Sequence, residues 1–242
     1  SEKSRISCTK SVRNGEDILF ADLLNEWANN KKMTVKESTY AKYRYNISHY
    51  ILPTLGNLKL GNITMQKINI FLCKTLFEKQ SLSNKTISDV FSLIKNSLLY
   101  AKNCGVNIDF NIEKAKIKGQ KKEMRVLSVF EQSALTRFLL ENTDRCKFGV
   151  LLCMYTGMRI GELCALKWKN VNCEERKIII TGTAQRIFDD SLSENKTKVI
   201  ISPPKTVSSV REIPIPDCLV NTATAFRQDG ECFVLSGCPD KI

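Results

Sequence analysis

The residues best suited to carry chemistry lie in the segment from Tyr155 to Trp168, which reads YTGMRIGELCALKW. Arg159 follows Gly157, a glycine placed to end a helix, so the backbone would hold the guanidinium in position. A guanidinium presents a planar fork of donors that matches two phosphate oxygens, and it keeps its charge at any physiological pH. The arrangement suits a site that stabilises a phosphodiester under attack. An ordinary surface arginine beside a turn is the alternative.

Two stretches resemble segments of a known family. The pattern T-G-M-R-I-G-E-L-x-x-L-x-W, which ends at Trp168, is similar to the first-arginine box of the tyrosine recombinases, the phage and conjugative-transposon integrases. The stretch P-K-T-V-S-S-V-R-E-I-P-I-P at 204–216 is similar to a later segment of that family. The resemblance also covers the first helices with Trp27, the I-L-P-T-L-G stretch at 51–56 and the linker between the domains.

The resemblance implies roles for three residues. Arg159 would grip the scissile phosphate, and Glu162, one helical turn along, would orient active-site groups. Lys205 matches a hairpin lysine of the family and would protonate the departing 5′ hydroxyl. From the sequence alone, Glu162 is equally a helix-surface acid or a partner for Lys169, and Lys205 is a charged turn residue.

Other residues that the resemblance requires are not identifiable. The family uses a second arginine in an H-x-x-R box, a later His or Trp, and a nucleophilic tyrosine. The only histidine, His49, lies in the first predicted domain, and no tyrosine follows Tyr155. We therefore expect a fragment, natural or trimmed, that contains no nucleophile and is inactive alone.

The overall charge favours a nucleic-acid partner. The 242 residues include 37 Lys and Arg against 25 Asp and Glu, which gives a net charge of +12, although another acidic surface would suit the same balance. Ten scattered cysteines without C-x-x-C spacing predict free thiols and no metal site. No apolar run is long enough to span a bilayer, and the start has no signal-peptide core, so we expect a cytoplasmic protein. The resemblance implies that it is bacterial or phage-encoded.

Apolar residues at helical spacing predict four helices over residues 16–105, after a basic lead at 1–15. The resemblance makes this domain the SAM-like core-binding domain of the family. The residues predicted to begin or end its helices are Ser38, Pro53, Gly56, Thr64, Ser83 and Gly105.

A basic linker is predicted at 106–126, because the apolar pattern lapses while lysines accumulate. The second domain, 127–242, begins with a capping box formed by Ser128 and Glu131. The apolar stripe predicted to face the core on the helix behind it is Phe130, Ala134, Leu135, Phe138 and Leu139.

The second domain then changes to a strand-like pattern. Runs of β-branched residues at 177–181, 198–201 and 211–215 predict one small antiparallel sheet, and Asp217 is predicted to cap a further helix. The fold class is therefore mainly α with a small antiparallel sheet (α+β). By the resemblance, the second domain is the N-terminal half of an incomplete catalytic domain.

Basic and aromatic side chains beside the apolar stripes are candidate DNA contacts, although solvated helix faces are the alternative. The resemblance supports the second and fourth helices and the linker, where the family closes a clamp around duplex DNA. The candidates are Lys42, Arg44, Tyr45, Lys85, Lys95, Lys121 and Lys122.

The function implied is site-specific DNA recombination through a 3′-phosphotyrosine. The phosphotyrosine conserves the energy of the broken phosphodiester, so neither a metal nor another cofactor is required. The full-length enzyme would act as a homotetramer on double-stranded DNA. The alternative is a catalytically dead DNA-binding module from a decayed integrase.

Overall fold

A computed structural model describes residues 17–108, 124–192, 196–203 and 210–240, apart from the side chain of Lys79. The chain forms two compact units, residues 1–123 and 124–242. Each unit has its own hydrophobic core. Within the described residues, no helix combines the length and apolar character needed to cross a membrane.

The first unit is helical. Its α-helices are α1 (Phe20–Lys32), α2 (Glu37–Asn46), α3 (Leu52–Leu55), α4 (Met65–Ile70) and α5 (Asn84–Asn103). A π-helical segment, Ile47–Ile51, joins α2 to α3, and a second, Phe71–Lys79, extends α4. Large side chains that the core encloses include Phe20, Trp27, Ile47, Phe71, Ile94 and Leu98.

Local capping explains three of these helix ends. The hydroxyl of Thr64 accepts from the backbone N–H of Lys67 at 3.3 Å, and that of Ser83 accepts from Thr86 at 3.2 Å, as predicted. Gly105 follows α5 with a φ of 91°, the left-handed conformation predicted for it.

Two predicted helix boundaries are wrong. The second helix begins at Glu37 behind Lys36, and its N-cap makes no side-chain hydrogen bond, so Ser38 lies inside the helix. Pro53 does not end this helix, because it lies in the first turn of α3, where a missing N–H is tolerated.

The second unit combines four α-helices and one 3-10 helix, Trp168–Asn170, with two small sheets in its described residues. The α-helices are α6 (Val129–Leu140), α7 (Arg145–Thr156), α8 (Ile160–Cys164) and α9 (Asp217–Phe226). The strands are β1 (Val171–Asn172), β2 (Lys177–Ile180), β3 (Thr183–Phe188), β4 (Thr197–Ser202) and β5 (Arg211–Pro214). The predicted class, mainly α with small antiparallel pairing, is confirmed.

The strands form two antiparallel sheets instead of the single sheet predicted. One has the order β1-β2-β5, with Ile178 opposite Ile213. The other is the pair β3-β4, with Gln185 opposite Ile200. The prediction was wrong because β3 was missed, and β3 takes β4 as its partner.

Helix α6 begins as predicted, but the side chains that it buries differ from those predicted. Ser128 and Glu131 form the capping box, with the Ser128 hydroxyl accepting from the Glu131 N–H at 3.3 Å. Leu139 is buried, whereas Phe130 and Phe138 are 83% and 59% exposed. The predicted stripe is therefore wrong for these two phenylalanines and for Ala134, which is also exposed.

Asp217 does not cap α9. It is the first residue of that helix, which follows Pro216 and has no side-chain cap. The Asp217 carboxylate instead accepts a hydrogen bond from the Arg176 guanidinium at 2.5 Å.

Candidate active site

A tight turn between α7 and α8 places Arg159. Gly157 ends α7 in the left-handed conformation, with a φ of 66°, and its N–H donates to the carbonyl of Cys153 at 3.0 Å. The extended Arg159 then forms the N-cap of α8. The prediction that a glycine ends the preceding helix is confirmed, and the guanidinium emerges at the start of a new helix.

Close packing against β3 fixes α8. A Cβ atom on Gly161 would lie 2.5 Å from Oγ1 of Thr183 and 2.9 Å from the carbonyl oxygen of Ala184. Leu163 is buried in the core of the unit. The position of Arg159 therefore depends on how α8 sits on the strand beneath it.

Glu162 is the buried centre of the site, with 7% of its surface exposed. Its Oε2 accepts from the backbone N–H of Arg159 at 3.0 Å, and its Oε1 accepts from Nη1 of Arg159 at 3.1 Å. Arg211 donates to both oxygens, with Nη1 to Oε1 at 3.0 Å and Nη2 to Oε2 at 2.8 Å. One carboxylate thus binds two guanidinium groups.

These contacts keep Glu162 ionised. The hydrogen bonds from Arg211 lower the pKa of Glu162 to about 2, against the opposing effect of burial, and Arg159 assists through its backbone N–H and side chain. The same pairing raises the pKa of Arg211. The cluster therefore carries two positive charges and one negative charge at neutral pH.

The structure contradicts both alternatives for Glu162, a helix-surface acid and a partner for Lys169. A buried carboxylate is not a helix-surface acid. Lys169 is not its partner either, because Nζ of Lys169 donates to Glu231 at 2.8 Å, and Lys167 binds the other oxygen of Glu231 at 3.0 Å.

Arg159 faces solvent. Its side chain is 77% exposed, compared with 32% for Arg211. Among the described residues, the side-chain partner of its guanidinium is Glu162, which uses one nitrogen, and a guanidinium carries five N–H donors. Arg159 is thus fixed at one edge and open at the other, as an anion-binding arginine needs to be.

Lys205 lies outside the described residues. The strands on either side of it, β4 and β5, belong to different sheets and do not pair with each other. In the described residues, therefore, β4 and β5 do not form the hairpin that the resemblance implies around Lys205.

In the first unit, the structure brings two of the predicted DNA contacts together. Nζ of Lys42 and Nζ of Lys85 donate to opposite oxygens of Asp89, at 2.7 and 2.9 Å, and both lysines are exposed. Helices α2 and α5 thus present adjacent basic side chains around one acid. Asp89 was not predictable from the sequence, because an isolated carboxylate among lysines carries no signal of its own.

The other predicted contacts are more dispersed. Arg44 donates to the side-chain oxygen of Asn25 at 3.0 Å, and the Tyr45 ring stacks on His49 with centroids 4.1 Å apart. Lys95 is half-buried on α5. Lys121 and Lys122 lie outside the described residues.

In the part of the chain that the structure describes, no group of three or more His, Cys, Asp and Glu side chains is placed to hold a metal ion. The nine cysteines of these residues are free thiols.

Each compact unit matches a different family model. Residues 19–76 match the phage integrase N-terminal SAM-like domain, and residues 125–204, which include Arg159 and Glu162, match the phage integrase family.

Curated relatives come from bacteria. A XerC-like tyrosine recombinase of Caldanaerobacter subterraneus subsp. tengcongensis is 27% identical over 86% of this chain and 56% of its own length. A probable integrase of prophage ps2 in Lactococcus lactis is 27% identical over 82% of this chain and 52% of its own length. The chain spans about half the length of the curated relatives it matches.

Solved structures share the fold. The Tn1549 transposon integrase in complex with transposon right end DNA has a TM-score of 0.69 at 20% identity, over 86% of this chain and 64% of that one. The lambda integrase tetramer bound to a Holliday junction has a TM-score of 0.59 at 16% identity, over 84% of this chain and 56% of that one. With a family model on each unit and the arginine box in place, the chain belongs to the phage integrase family of tyrosine recombinases.

Proposed function

We propose that this chain acts in site-specific DNA recombination, in which a tyrosine attacks a phosphodiester and the 5′ hydroxyl leaves. The observation that carries the proposal is the exposed guanidinium of Arg159, held at the start of α8 by the buried carboxylate of Glu162. Such a group is placed to donate to the non-bridging oxygens of a phosphate. Relatives that share the family support this role.

The reaction is two successive transesterifications. The tyrosine oxygen forms a bond to phosphorus as the bond to the 5′ oxygen breaks. A 5′ hydroxyl of the partner strand later attacks this phosphotyrosine, and a new phosphodiester forms as the bond between phosphorus and the tyrosine oxygen breaks. Arg159 stabilises the charge that develops on the phosphoryl oxygens. We assign Lys205 the delivery of a proton to the departing 5′ oxygen. The nucleophile and a second arginine are not among these 242 residues, because no tyrosine follows Tyr155 and no H-x-x-R box is present.

Double-stranded DNA is the proposed partner. The net charge of +12 and the paired lysines of α2 and α5, Lys42 and Lys85, favour contact with phosphates. We extend the same role to Arg44, Tyr45, Lys95, Lys121 and Lys122. Recombination by this family brings two DNA sites together, so we propose a homotetramer on DNA, acting in the bacterial cytoplasm.

A DNA-binding module without catalytic activity is the second candidate. The observation that supports it is the pair of exposed lysines around Asp89, Lys42 and Lys85, which can contact DNA without a nucleophile. Both candidates require DNA binding, and they differ in whether the complete product of the gene forms a covalent bond to DNA.

Nicked duplexes from the ends of the element that carries the gene provide the test, because a nick traps the covalent intermediate. We expect the 242-residue chain to bind duplex DNA and to form no covalent adduct on denaturing gels. The complete gene product should form an adduct at a tyrosine. An adduct-free gene product that still binds DNA supports the second candidate, and a chain that binds no duplex at low salt contradicts both.

A further inference from the structure

We propose that Arg211 is a positioning residue of this site, which engages the Glu162 carboxylate through both of its Nη atoms and so leaves the Arg159 guanidinium available to a phosphate. This inference rests on the proposed function, since it assumes that Arg159 binds a DNA phosphate. Arg211 lies in the 204–216 stretch, where the sequence alone indicates no role for it.

The hydrogen-bond geometry indicates different roles for Arg211 and Arg159. Arg211 makes a two-pronged contact with Glu162, at 3.0 and 2.8 Å, and its side chain is only 32% exposed. Arg159 makes a single side-chain contact with the same carboxylate at 3.1 Å and is 77% exposed. A two-pronged guanidinium–carboxylate pair is the stronger arrangement, so Glu162 is satisfied mainly by Arg211.

The charges explain why this division favours phosphate binding. A buried carboxylate left with Arg159 alone would draw both prongs of that guanidinium, because an uncompensated buried charge is costly. The pair would then be neutral and its fork occupied. With Arg211 present, the three side chains carry one net positive charge, and that charge is exposed at Arg159.

The fold keeps Arg211 in this place. Arg211 begins β5 and lies opposite Ile180 of β2, so the three-stranded sheet fixes its backbone. Glu162 lies on α8, which packs against β3 of the other sheet. A purely structural link between α8 and β5 is therefore the competing explanation, and the test has to separate the two.

A double-mutant cycle on the 242-residue chain makes that separation, with Arg211→Gln, Glu162→Gln and the combined variant. The probe is inorganic phosphate, followed by the NMR signal of the Arg159 Nε–H group, which Arg159→Lys identifies by its disappearance. We expect Arg211→Gln to weaken phosphate binding at Arg159 about tenfold, the effect of one strong charged hydrogen bond. In the Glu162→Gln background, where no carboxylate competes, the same change should have little effect.

Equal losses in both backgrounds, or no loss in either, would overturn the inference. Arg211→Lys, which keeps the charge and loses the fork, should show an intermediate loss that also vanishes beside Glu162→Gln. It replaces Arg211→Gln in the cycle if that variant does not fold, as judged from its amide spectrum. Duplex binding of the unmodified chain is measured in parallel. If the chain binds duplex but the effects of the two substitutions on phosphate binding are additive, only the role of Arg211 is contradicted. If the chain binds neither duplex nor phosphate, the proposed function is contradicted as well.

Discussion

A Cβ atom on Gly161 would lie 2.5 Å from Oγ1 of Thr183, closer than side-chain carbons approach oxygen in folded proteins. The hydroxyl of Thr183 is able to rotate away. The backbone carbonyl of Ala184, which the same Cβ would meet at 2.9 Å, moves only with β3 itself. The glycine in the arginine box thus permits the contact between helix and strand that positions Arg159.

Gly161→Ala is therefore expected to destabilise the second unit. Alanine improves helix propensity by about 1 kcal/mol over glycine, whereas overpacking a close contact costs about 1–3 kcal/mol. The difference is a net loss of up to about 2 kcal/mol, and we expect it to be accompanied by a shift of the Arg159 Nε–H signal. Urea unfolding followed by Trp168 fluorescence, in a Trp27→Phe background, reports on the second unit alone.

Gly182→Ala is the matched control. Its Cβ would meet its nearest atom, the carbonyl oxygen of Ser202, at 3.3 Å, which a small adjustment relieves. It should cost less than Gly161→Ala and leave the Arg159 signal in place. Equal destabilisation by the two variants would contradict the argument.

The pairing of Glu162 predicts a dependence of stability on pH. Its pKa is lowered from 4.5 to about 2, so the ionised form stabilises the folded state above pH 4.5, and this contribution is lost as the pH falls towards 2. Its size is at most about 3 kcal/mol, by the conversion of a pKa shift into free energy. Glu162→Gln should lower the free energy of unfolding at neutral pH, and the difference from the unmodified chain should shrink below pH 4.5. A difference that stays constant with pH would show that the ionised carboxylate is not responsible.

The elements that local sequence controls were predictable. Thr64, Ser83 and the Ser128–Glu131 box were identified because a cap depends on residues within one turn of the helix end. Gly157 was identified for the same reason, since its left-handed conformation ends α7 locally.

Features set by tertiary contacts were not predictable from the same patterns. Phe130 and Phe138 share a helical stripe with the buried Leu139, yet periodicity does not say which edge of a stripe the rest of the fold covers. Strand β3 was missed because Gln185 and Arg186 interrupt its apolar pattern. The contact of Arg211 with Glu162 joins residues 49 positions apart, so neither neighbourhood contains a signal of it.

Because Lys42 and Lys85 share the Asp89 carboxylate, removing its charge is expected to increase the affinity for DNA. Although burial opposes it, hydrogen bonds from Lys42 and Lys85 lower the pKa of Asp89, so the acid is charged and competes with DNA phosphates for both lysines. Asp89→Asn should raise affinity for duplex DNA by about threefold to tenfold at low salt, as expected for a charge near a protein surface. Fluorescence anisotropy with a labelled duplex measures it.

Asp17→Asn controls for net charge. Asp17 pairs with Lys59 at 2.7 Å in another exposed ion pair of the same unit. Asp17→Asn should increase DNA affinity less than Asp89→Asn does. An equal increase from both variants would show that Lys42 and Lys85 are not DNA contacts.

Substitution of the linker lysines is expected to change the salt dependence of DNA binding. If Lys121 and Lys122 each neutralise one phosphate, changing both to alanine should reduce the slope of log K against log salt by about 0.9 for each phosphate that is no longer neutralised. The decrease in affinity should be similar for any duplex sequence, because phosphate contacts carry no base information. An unchanged slope would remove these residues from the interface.

The proposed role of Lys205 is tested by the leaving group. Strand cleavage expels a 5′ oxygen, which needs a proton as the bond to phosphorus breaks, whereas a 5′ sulfur leaves as a stable thiolate without one. In the complete gene product, Lys205→Ala should slow cleavage of an ordinary nicked duplex, and a bridging 5′-thio substitution at the scissile phosphate should restore the rate. Arg159→Ala is the matched control, since it removes stabilisation of the phosphoryl oxygens, on the order of 3 kcal/mol, which a better leaving group does not replace. It should stay slow with both substrates. If sulfur fails to rescue Lys205→Ala, or rescues Arg159→Ala equally, Lys205 is not the proton donor and its effect on cleavage is structural.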